Sequence, residues 1–444
     1  MAKKQMASLN PPRRRLGLPV FLLALVVGSG SALAGQFRAA VVKIDITPDN
    51  PQWLLGYGPR QSTGVHDHIF HRIVAMDDGK TQFFLISTDI CEYSPSFYDE
   101  ITRELSRQTG IKPLQVWWSV THTHSAPEVG PPGLGDAFPD LKARFGHDHN
   151  TEYTALVKKQ LLDGIKEAQE KLEPARLGVG WGYASATTNR RARNEEGPAF
   201  LGLNPYGPVD HQIGLLRLEK PDGKLLALIA NYGMHGTVLG GENTLISGDA
   251  PGIVADYVER KLGAPMLYIN GAAGNQAPIY TPRGKPDFMR VAQFEVLLGD
   301  PIVAANARLG PTTSDVEFTL GETMVETPRK AGLGWAPDLG DYTRTTSTGA
   351  VMVRFPVRFL RINNDIAIWA APLELFCEIS MDVRNHSSFP YTFYFGYTNG
   401  CLGYLPTKAE FAYGGYEPSV SPFTDAGGED LTHAVLTYLD GQVR

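Results

Sequence analysis

Cysteine is scarce: Cys91, Cys377 and Cys401 are the only three in 444 residues, and no two are spaced as C-x-x-C. So low and odd a count excludes a disulfide framework. One bridge such as Cys377–Cys401 and three buried apolar thiols are both compatible with it. Basic charge is also short, with 41 Lys and Arg against 47 Asp and Glu. That balance does not attract phosphate backbones, so nucleic acid is excluded as a partner. Low-complexity tracts and 20–50-residue repeats are absent, which excludes solenoids and arrays. The apolar run from Leu16 to Val27 is too short for a membrane span.

That run is part of an export signal. Lys3, Lys4, Arg13, Arg14 and Arg15 precede it without an acidic residue, and Ala32-Leu33-Ala34 follows as a small-residue cleavage site. The reading is a signal peptide over residues 1–34 and a secreted or periplasmic chain from residue 35, with an uncleaved anchor as the alternative and Sec or Tat export left open. Cleavage removes five positive charges and no negative ones, taking the net charge from −6 to −11. With 43% hydrophobic and 20% charged residues, the remainder can bury a large core.

Strand and helix patterns then alternate. Strands are expected at Phe37–Ile46, at Ile73–Met76 and Gln82–Ser87 as a hairpin around Asp78-Gly79, at Leu114–Val120, Arg176–Tyr183, Gln212–Leu218, Leu225–Tyr232 and Ala264–Asn270, and at Val351–Ile362 with Asp365–Ala370. Helices are expected at Ser94–Gln108, Thr151–Lys171 (apolar face Tyr153, Leu156, Leu161, Ile165, Ala168), Pro251–Lys261 and Phe288–Leu309, the last broken at Gly299-Asp300-Pro301. Ser387–Tyr397 is β-rich, residues 126–150 read as loop, and an Arg-rich polar stretch lies between the strands that end at Tyr183 and begin at Gln212. The pattern is that of an α/β enzyme: one multilayer catalytic domain, a mixed β-sheet core with flanking helices, and an active site at strand ends. No linker divides residues 35–444.

The strand ends carry the unusual residues. His122 and His124 lie two apart after an apolar strand, a spacing that puts both imidazoles on one face, either at one metal or with one as ligand and the other moving protons. A hydrogen-bonded pair without metal is the alternative. His235, between Gly233 and Gly236, follows another apolar strand, and Glu374 a third; a buried carboxylate there requires a partner, such as a metal. Tyr404 and Tyr416 read as turn aromatics. Arg190, Arg191 and Arg193 read as a solvated basic loop or, in a chain this acidic, as a cluster able to hold an anion or a developing oxyanion. His66-Asp67-His68 reads as part of the site entrance and His147-Asp148-His149 as a flexible loop.

Thr121-His122-Thr123-His124-Ser125-Ala126-Pro127 resembles a motif of the neutral/alkaline non-lysosomal ceramidases. Asp45-Ile46-Thr47-Pro48, Asn189-Arg190, Met234-His235-Gly236-Thr237, Ser247-Gly248-Asp249, Gly271-Ala272-Ala273-Gly274, Pro372-Leu373-Glu374, Gly403-Tyr404 and Gly415-Tyr416-Glu417 follow in that family's order. The resemblance implies one Zn²⁺ per chain on His122, His235, Glu374 and Tyr404. It implies that His124, Arg190 and Tyr416 hold the substrate carbonyl or the transition state. A zinc-activated water would cleave the amide of ceramide or another N-acyl compound. An esterase, a hydrolase of a polar glycan- or peptide-like substrate, and a catalytically inactive binding homologue are the other readings. The implied partner is a small-molecule or lipid substrate, with peripheral membrane contact and oligomeric state open. Two differences stand against the family pattern: Asn275 replaces an Asp and Ala277 a Ser, and the chain stops soon after Glu417 without a C-terminal immunoglobulin-like domain.

Overall fold

The computed structural model describes residues 37–131, 133–134, 147–194, 197–280 and 284–442. The signal-peptide reading of residues 1–34 lies outside the described residues, as do residues 135–146 of the expected loop.

Three sheets form the frame. The first runs β4 (Val116–Val120), β3 (Gln82–Thr88), β2 (Phe70–Asp77), β1 (Arg38–Asp45). The second runs β8 (Met266–Asn270), β7 (Leu225–Tyr232), β6 (Gln212–Glu219), β5 (Arg176–Tyr183). The third runs β9 (Phe318–Pro328), β10 (Val351–Ile362), β11 (Ile366–Ala370), β12 (Tyr391–Phe395). Each sheet is antiparallel except at one edge. There β3 and β4, β7 and β8, and β11 and β12 pair in parallel.

These parallel edges are the most apolar part of the chain. Every residue of β4, β8 and β11 is buried. A strand covered on both faces needs a continuous apolar run rather than alternation, and VWWSV, MLYIN and IAIWA supply it. Trp117, Ile229, Ile269, Leu360, Ile368 and Phe395 share one buried cluster drawn from all three sheets. At roughly 1.5–3 kcal/mol for each large apolar side chain buried, this cluster is a main source of stability. Polar bonds register the edges against one another. Ser87 Oγ donates to Tyr268 O (2.6 Å), Asn231 Nδ2 to Tyr394 O (3.0 Å), Gly396 N to Asn270 O (2.9 Å) and Val120 N to Tyr397 O (3.3 Å). The three edges therefore converge, and the loops after β4, β7, β8, β11 and β12 open toward one place.

The expected strands and helices are present with small shifts in their ends. Helix Pro95–Thr109 starts with Pro in its first turn behind the Ser94 cap and ends at Gly110 with φ 77°. On helix Thr151–Glu170 the buried face uses Val157 rather than Leu156, which is exposed. Two expectations are corrected, and one point the sequence left open is settled. The Arg-rich stretch is not loop: it forms strands Thr187–Ala192 and Phe200–Asn204, the first also pairing with Gln276–Pro278. The backbone stays helical through Gly299-Asp300-Pro301: the π-helical turn Glu295–Gly299 runs directly into Asp300–Ala307, which carries Pro301 near its start. Cys377 and Cys401 are not bridged: all three cysteines are free and buried. The Cys377 thiol faces Pro208 O and Glu378, whereas Cys401 Sγ accepts from Gly403 N. Strand β9 and helix Gly427–Gly441 have no counterpart in the sequence reading. Among the described residues no helix is long and apolar enough to cross a membrane.

Candidate metal centre

Beyond β4 the chain does not continue as a strand. His122 adopts φ 61°, a left-handed turn rare for a residue with a side chain. The shared face of His122 and His124 therefore comes from a turn, not from a strand pleat, which corrects the expected geometry. The turn is held by His122 N to Ile90 O (3.0 Å), Gly236 N to His122 O (3.2 Å) and His124 N to Gly236 O (2.9 Å). Gly236 is required at this crossing, since a Cβ there would stand 2.7 Å from Thr123 Cα and 2.8 Å from His122 O. Gly56, at φ 104°, packs just as closely against the His124 ring.

His122 donates Nδ1–H to Cys91 O (2.9 Å), and His235 donates Nδ1–H to Ala273 O (2.8 Å) and Gln276 O (3.0 Å). These partners assign the tautomer and leave an Nε2 lone pair on each ring. Both Nε2 atoms face the same oxygen, Glu374 Oε2, each at 3.3 Å. His235 Nε2 is fully buried and has no hydrogen-bond donor to accept from. Three acceptors converging in a dry site repel one another unless a cation lies among them. The donor atoms of His122, His235 and Glu374 lie within 4.8 Å of one another. Two imidazoles and a carboxylate suit zinc.

Electrostatics couple the same residues. Burial pushes the His235 imidazole down to about 3, with Arg190 adding to the effect. Burial also takes His124 well below its usual range, helped by His122 and His235. For Glu374, burial opposes ionisation, but His122 and His235 outweigh it and hold the carboxyl well below its ordinary value.

The remaining expected residues surround this triad. Tyr404 lies opposite Glu374 in a short parallel ladder, with Glu374 N bonded to Gly403 O (3.0 Å). Burial raises its phenol, and the Glu374 charge adds to that. Arg190 stands 5.4 Å from the Tyr404 ring centre and donates Nε to Glu417 Oε1 (2.8 Å), while its buried Nη2 has no acceptor. Burial opposes its charge, yet Tyr404, Glu417 and Glu374 hold the guanidinium ionised. Arg191 and Arg193 face away, toward Glu410 and, for Arg191, Glu417. Tyr416 is 38% exposed at the rim, 5.7 Å from Tyr404 between ring centres, and burial with the Glu374 charge pushes its phenol up to about 12. His124 Nε2 is 3.1 Å from His122 Nε2, while its Nδ1 is buried without a partner. His124 is outside the triad that includes Glu374.

Asn275 and Ala277 support the site rather than line it. Asn275 is fully buried, donates to Glu378 Oε2 (2.7 Å) and accepts from Cys377 N (3.0 Å), clasping the segment just after Glu374. Ala277 pairs with Thr188. His66 and His68 are tied to Asp67 and Asp45, and Asp67 accepts from Ser247 and Gly248. The 147–149 run is packed rather than loose: His147 stacks on Trp53 at 4.3 Å and His149 is bonded to Glu128.

Two neighbours were not anticipated. Tyr397, at φ 50°, stacks on His122 with ring centres 4.2 Å apart and donates to Glu374 Oε2 (3.4 Å). Glu92 has a carboxylate oxygen within 4.8 Å of the Glu374 oxygen and of Cys401 Sγ, and burial together with Glu374 pushes it up to about 7. Both lie beyond strand ends, the signal that singled out His122, His235 and Glu374.

Comparisons with known proteins point the same way. The profile described as neutral/alkaline non-lysosomal ceramidase, N-terminal, matches residues 37–275. A neutral ceramidase of Pseudomonas aeruginosa is 25% identical over 255 residues, covering 54% of this chain and 37% of that protein. Neutral ceramidase A of Dictyostelium discoideum is 28% identical over 231 residues, 49% of this chain and 31% of that protein. The chain thus spans about a third of the length of these curated relatives. The crystal structure of the Pseudomonas aeruginosa neutral ceramidase superposes with a TM-score of 0.72 at 16% identity, over 90% of this chain and 73% of that one, and so shares the fold.

Proposed function

This chain belongs to the neutral/alkaline non-lysosomal ceramidase family, and from that we propose that it is an exported, zinc-dependent amidohydrolase acting on ceramide or another N-acyl compound. The observation that carries the reading is the convergence of two imidazole lone pairs and one carboxylate on a single buried point. His122, His235 and Glu374 would hold the metal, with Tyr404 beside Glu374 as the fourth ligand. When bound, zinc lowers the pKa of water and polarises a carbonyl.

The chain's own groups supply the rest. The free Nη2 of Arg190 and the rim phenol of Tyr416 are the donors for an amide oxygen gaining negative charge. His124, kept neutral by burial, accepts and returns a proton at a ring nitrogen and delivers it to the leaving amine. Tyr397 braces His122 and Glu374.

Zinc content together with hydrolysis of a fluorogenic N-acyl sphingosine, set beside short-chain amides and esters, tests the reading. Zinc bound with no amide cleaved would reject the amidohydrolase and leave the esterase or the inactive homologue. A second reading, hydrolysis of a polar substrate, is favoured by Glu92, a carboxylate next to Glu374. Export rests on the basic, apolar and small-residue order of residues 1–34, and mature protein recovered outside the cytoplasm should begin at Gly35.

A further inference from the structure

The two histidine loops are tied together at two points. One is the Gly236 crossing, where Gly236 N donates to His122 O and His124 N to Gly236 O. The other lies before the histidines and is a single side chain, Asn270, the last residue of β8. Its Nδ2 donates to Thr121 O (3.1 Å) and Met234 O (2.9 Å), and its Oδ1 accepts from Met234 N (3.1 Å). Thr121 and Met234 immediately precede His122 and His235. The carbonyl of Asn270 accepts from Gly396 N (2.9 Å), one residue before Tyr397. One residue thus meets the loops after β4, β7 and β12.

The place demands an amide. Asn270 is fully buried, and its partners require two donors on one atom and an acceptor on its neighbour. An aspartate would set an oxygen against two carbonyls, and a leucine would leave one N–H and two C=O groups without partners. These bonds are not needed to close a sheet. β7 and β8 already pair from Leu228 with Met266 to Tyr232 with Asn270. The side chain reaches past the ladder, to Thr121 beyond the end of β4 and Met234 beyond the end of β7.

We propose that Asn270 is a positioning residue: it sets the separation of His122 and His235, and through them the affinity of the centre for its metal. The inference rests on the zinc reading above and goes beyond it, to a residue that acts through the backbone of both ligand loops. A partner that orients a metal ligand is worth about 10–100-fold in metal affinity. Asn270 acts on two ligands at once.

The test sets zinc affinity, measured by competition with a chromophoric chelator, beside urea unfolding of the metal-free full chain. Asn270→Asp keeps the acceptor for Met234 N and loses both donors. Asn270→Ala loses all three bonds but leaves room for water at the groups it abandons, so it decides the matter should the aspartate variant not fold. The expected result is zinc binding weakened about tenfold or more in the Asn270 variants, with an altered visible spectrum when Co²⁺ replaces zinc. Ser87→Ala is the control, because it removes another buried tie, Ser87 Oγ to Tyr268 O, outside both loops. It should lose stability yet bind zinc and Co²⁺ as wild type does. Wild-type affinity and spectrum in a folded Asn270 variant overturn the proposal, as does an equal loss of affinity in Ser87→Ala. Loss of the whole fold in both Asn270 variants also overturns it, since the residue then serves folding. Hydrogen exchange of the metal-free chain keeps this proposal apart from the zinc reading. Faster exchange at His122 N and Gly236 N in Asn270→Ala, with β7 and β8 as protected as before, supports Asn270 even if wild type holds no zinc, in which case only the zinc reading fails. Unchanged protection in both loops overturns it.

Discussion

His122 gives its Nδ1 proton to the carbonyl of Cys91 across 2.9 Å, and this bond decides which nitrogen faces Glu374. His235 is oriented the same way by Ala273 and Gln276. Both lone pairs are thus committed before any metal arrives, so little reorganisation opposes binding. Wild-type protein should hold about one zinc per chain, and His122→Ala or His235→Ala close to none. Because the metal binds the folded state, chelation should lower the wild-type melting temperature; a site saturated a hundredfold above its dissociation constant contributes about 2.7 kcal/mol. In His235→Ala that chelator-induced shift should vanish. Full zinc in both variants would reject this ligand set.

How far the sequence reached follows from the same geometry. His122 and Glu374 were legible because each follows a strand buried on both faces, whose apolar run marks it plainly, and His235 because it follows β7, apolar and buried through its middle. Tyr397 and Glu92 also follow strands, but a tyrosine closing an aromatic segment and a glutamate after TDIC carry no signal of their own. The left-handed turns at His122 and Tyr397 cannot be read from residue type, since surrounding contacts impose them. Arg190 was read as loop because TTNRRA has weak strand propensity; pairing with Phe200–Asn204 and Gln276–Pro278 overrides it. The asparagine at 275 looked like a lost functional acid. Its bonds to Glu378 and Cys377 show a structural clasp, which only the tertiary fold reveals.

Gly236→Ala tests the crossing of the two histidine loops. The new methyl meets backbone on both sides, with Thr123 Cα at 2.7 Å and His122 O at 2.8 Å, so neither neighbour can yield by changing a rotamer. The expected cost is roughly 1–3 kcal/mol in urea unfolding, with weaker zinc retention because His122 moves with its carbonyl. Unaltered stability and metal content would show that the loops are not held this tightly.

Asn275→Asp restores the acid found at this place in the family pattern, here against Glu378. An Nδ2 donor at 2.7 Å becomes a carboxylate oxygen beside another carboxylate that burial already keeps from ionising readily. Like charges raise the pKa of such a pair, so the folded variant binds protons more tightly than the unfolded chain. Its stability deficit relative to wild type should reach about 1–3 kcal/mol at pH 8 and shrink toward pH 5. A deficit that does not vary with pH would mean the introduced acid has another partner.

Arg190→Met removes the free Nη2 while leaving a side chain of similar reach. An interaction made with an oxyanion, but weakly with the ground-state carbonyl, appears in kcat rather than KM. A fall in kcat on the order of 10²-fold with KM nearly unchanged is expected in steady-state amide hydrolysis. Glu417 also loses one of its two arginines, so a melting curve must accompany the kinetics. A rise in KM at constant kcat would place Arg190 in substrate binding instead.

His71 gives a pH dependence independent of the metal centre. Its ring is fully buried between Thr88 Oγ1 at 2.7 Å and Val157 O at 3.2 Å, and burial pushes it down to about 4, the bond to Val157 offsetting only part of that. The fold therefore holds the neutral ring. Above the unfolded value of ~6.5 neither state takes a proton and the full contribution is present. As pH falls from there toward 4, the unfolded chain gains a proton that the folded one refuses, and stability drops; below 4 this group adds no further change. Between pH 7.5 and 5.0 the loss from this one ring is about 2 kcal/mol. In urea unfolding, His71→Met should start lower at pH 7.5, because Val157 O and Thr88 lose their partner, yet fall less by that amount on acidification. If wild type and variant fall equally, the ring is protonated within the fold and the burial argument fails.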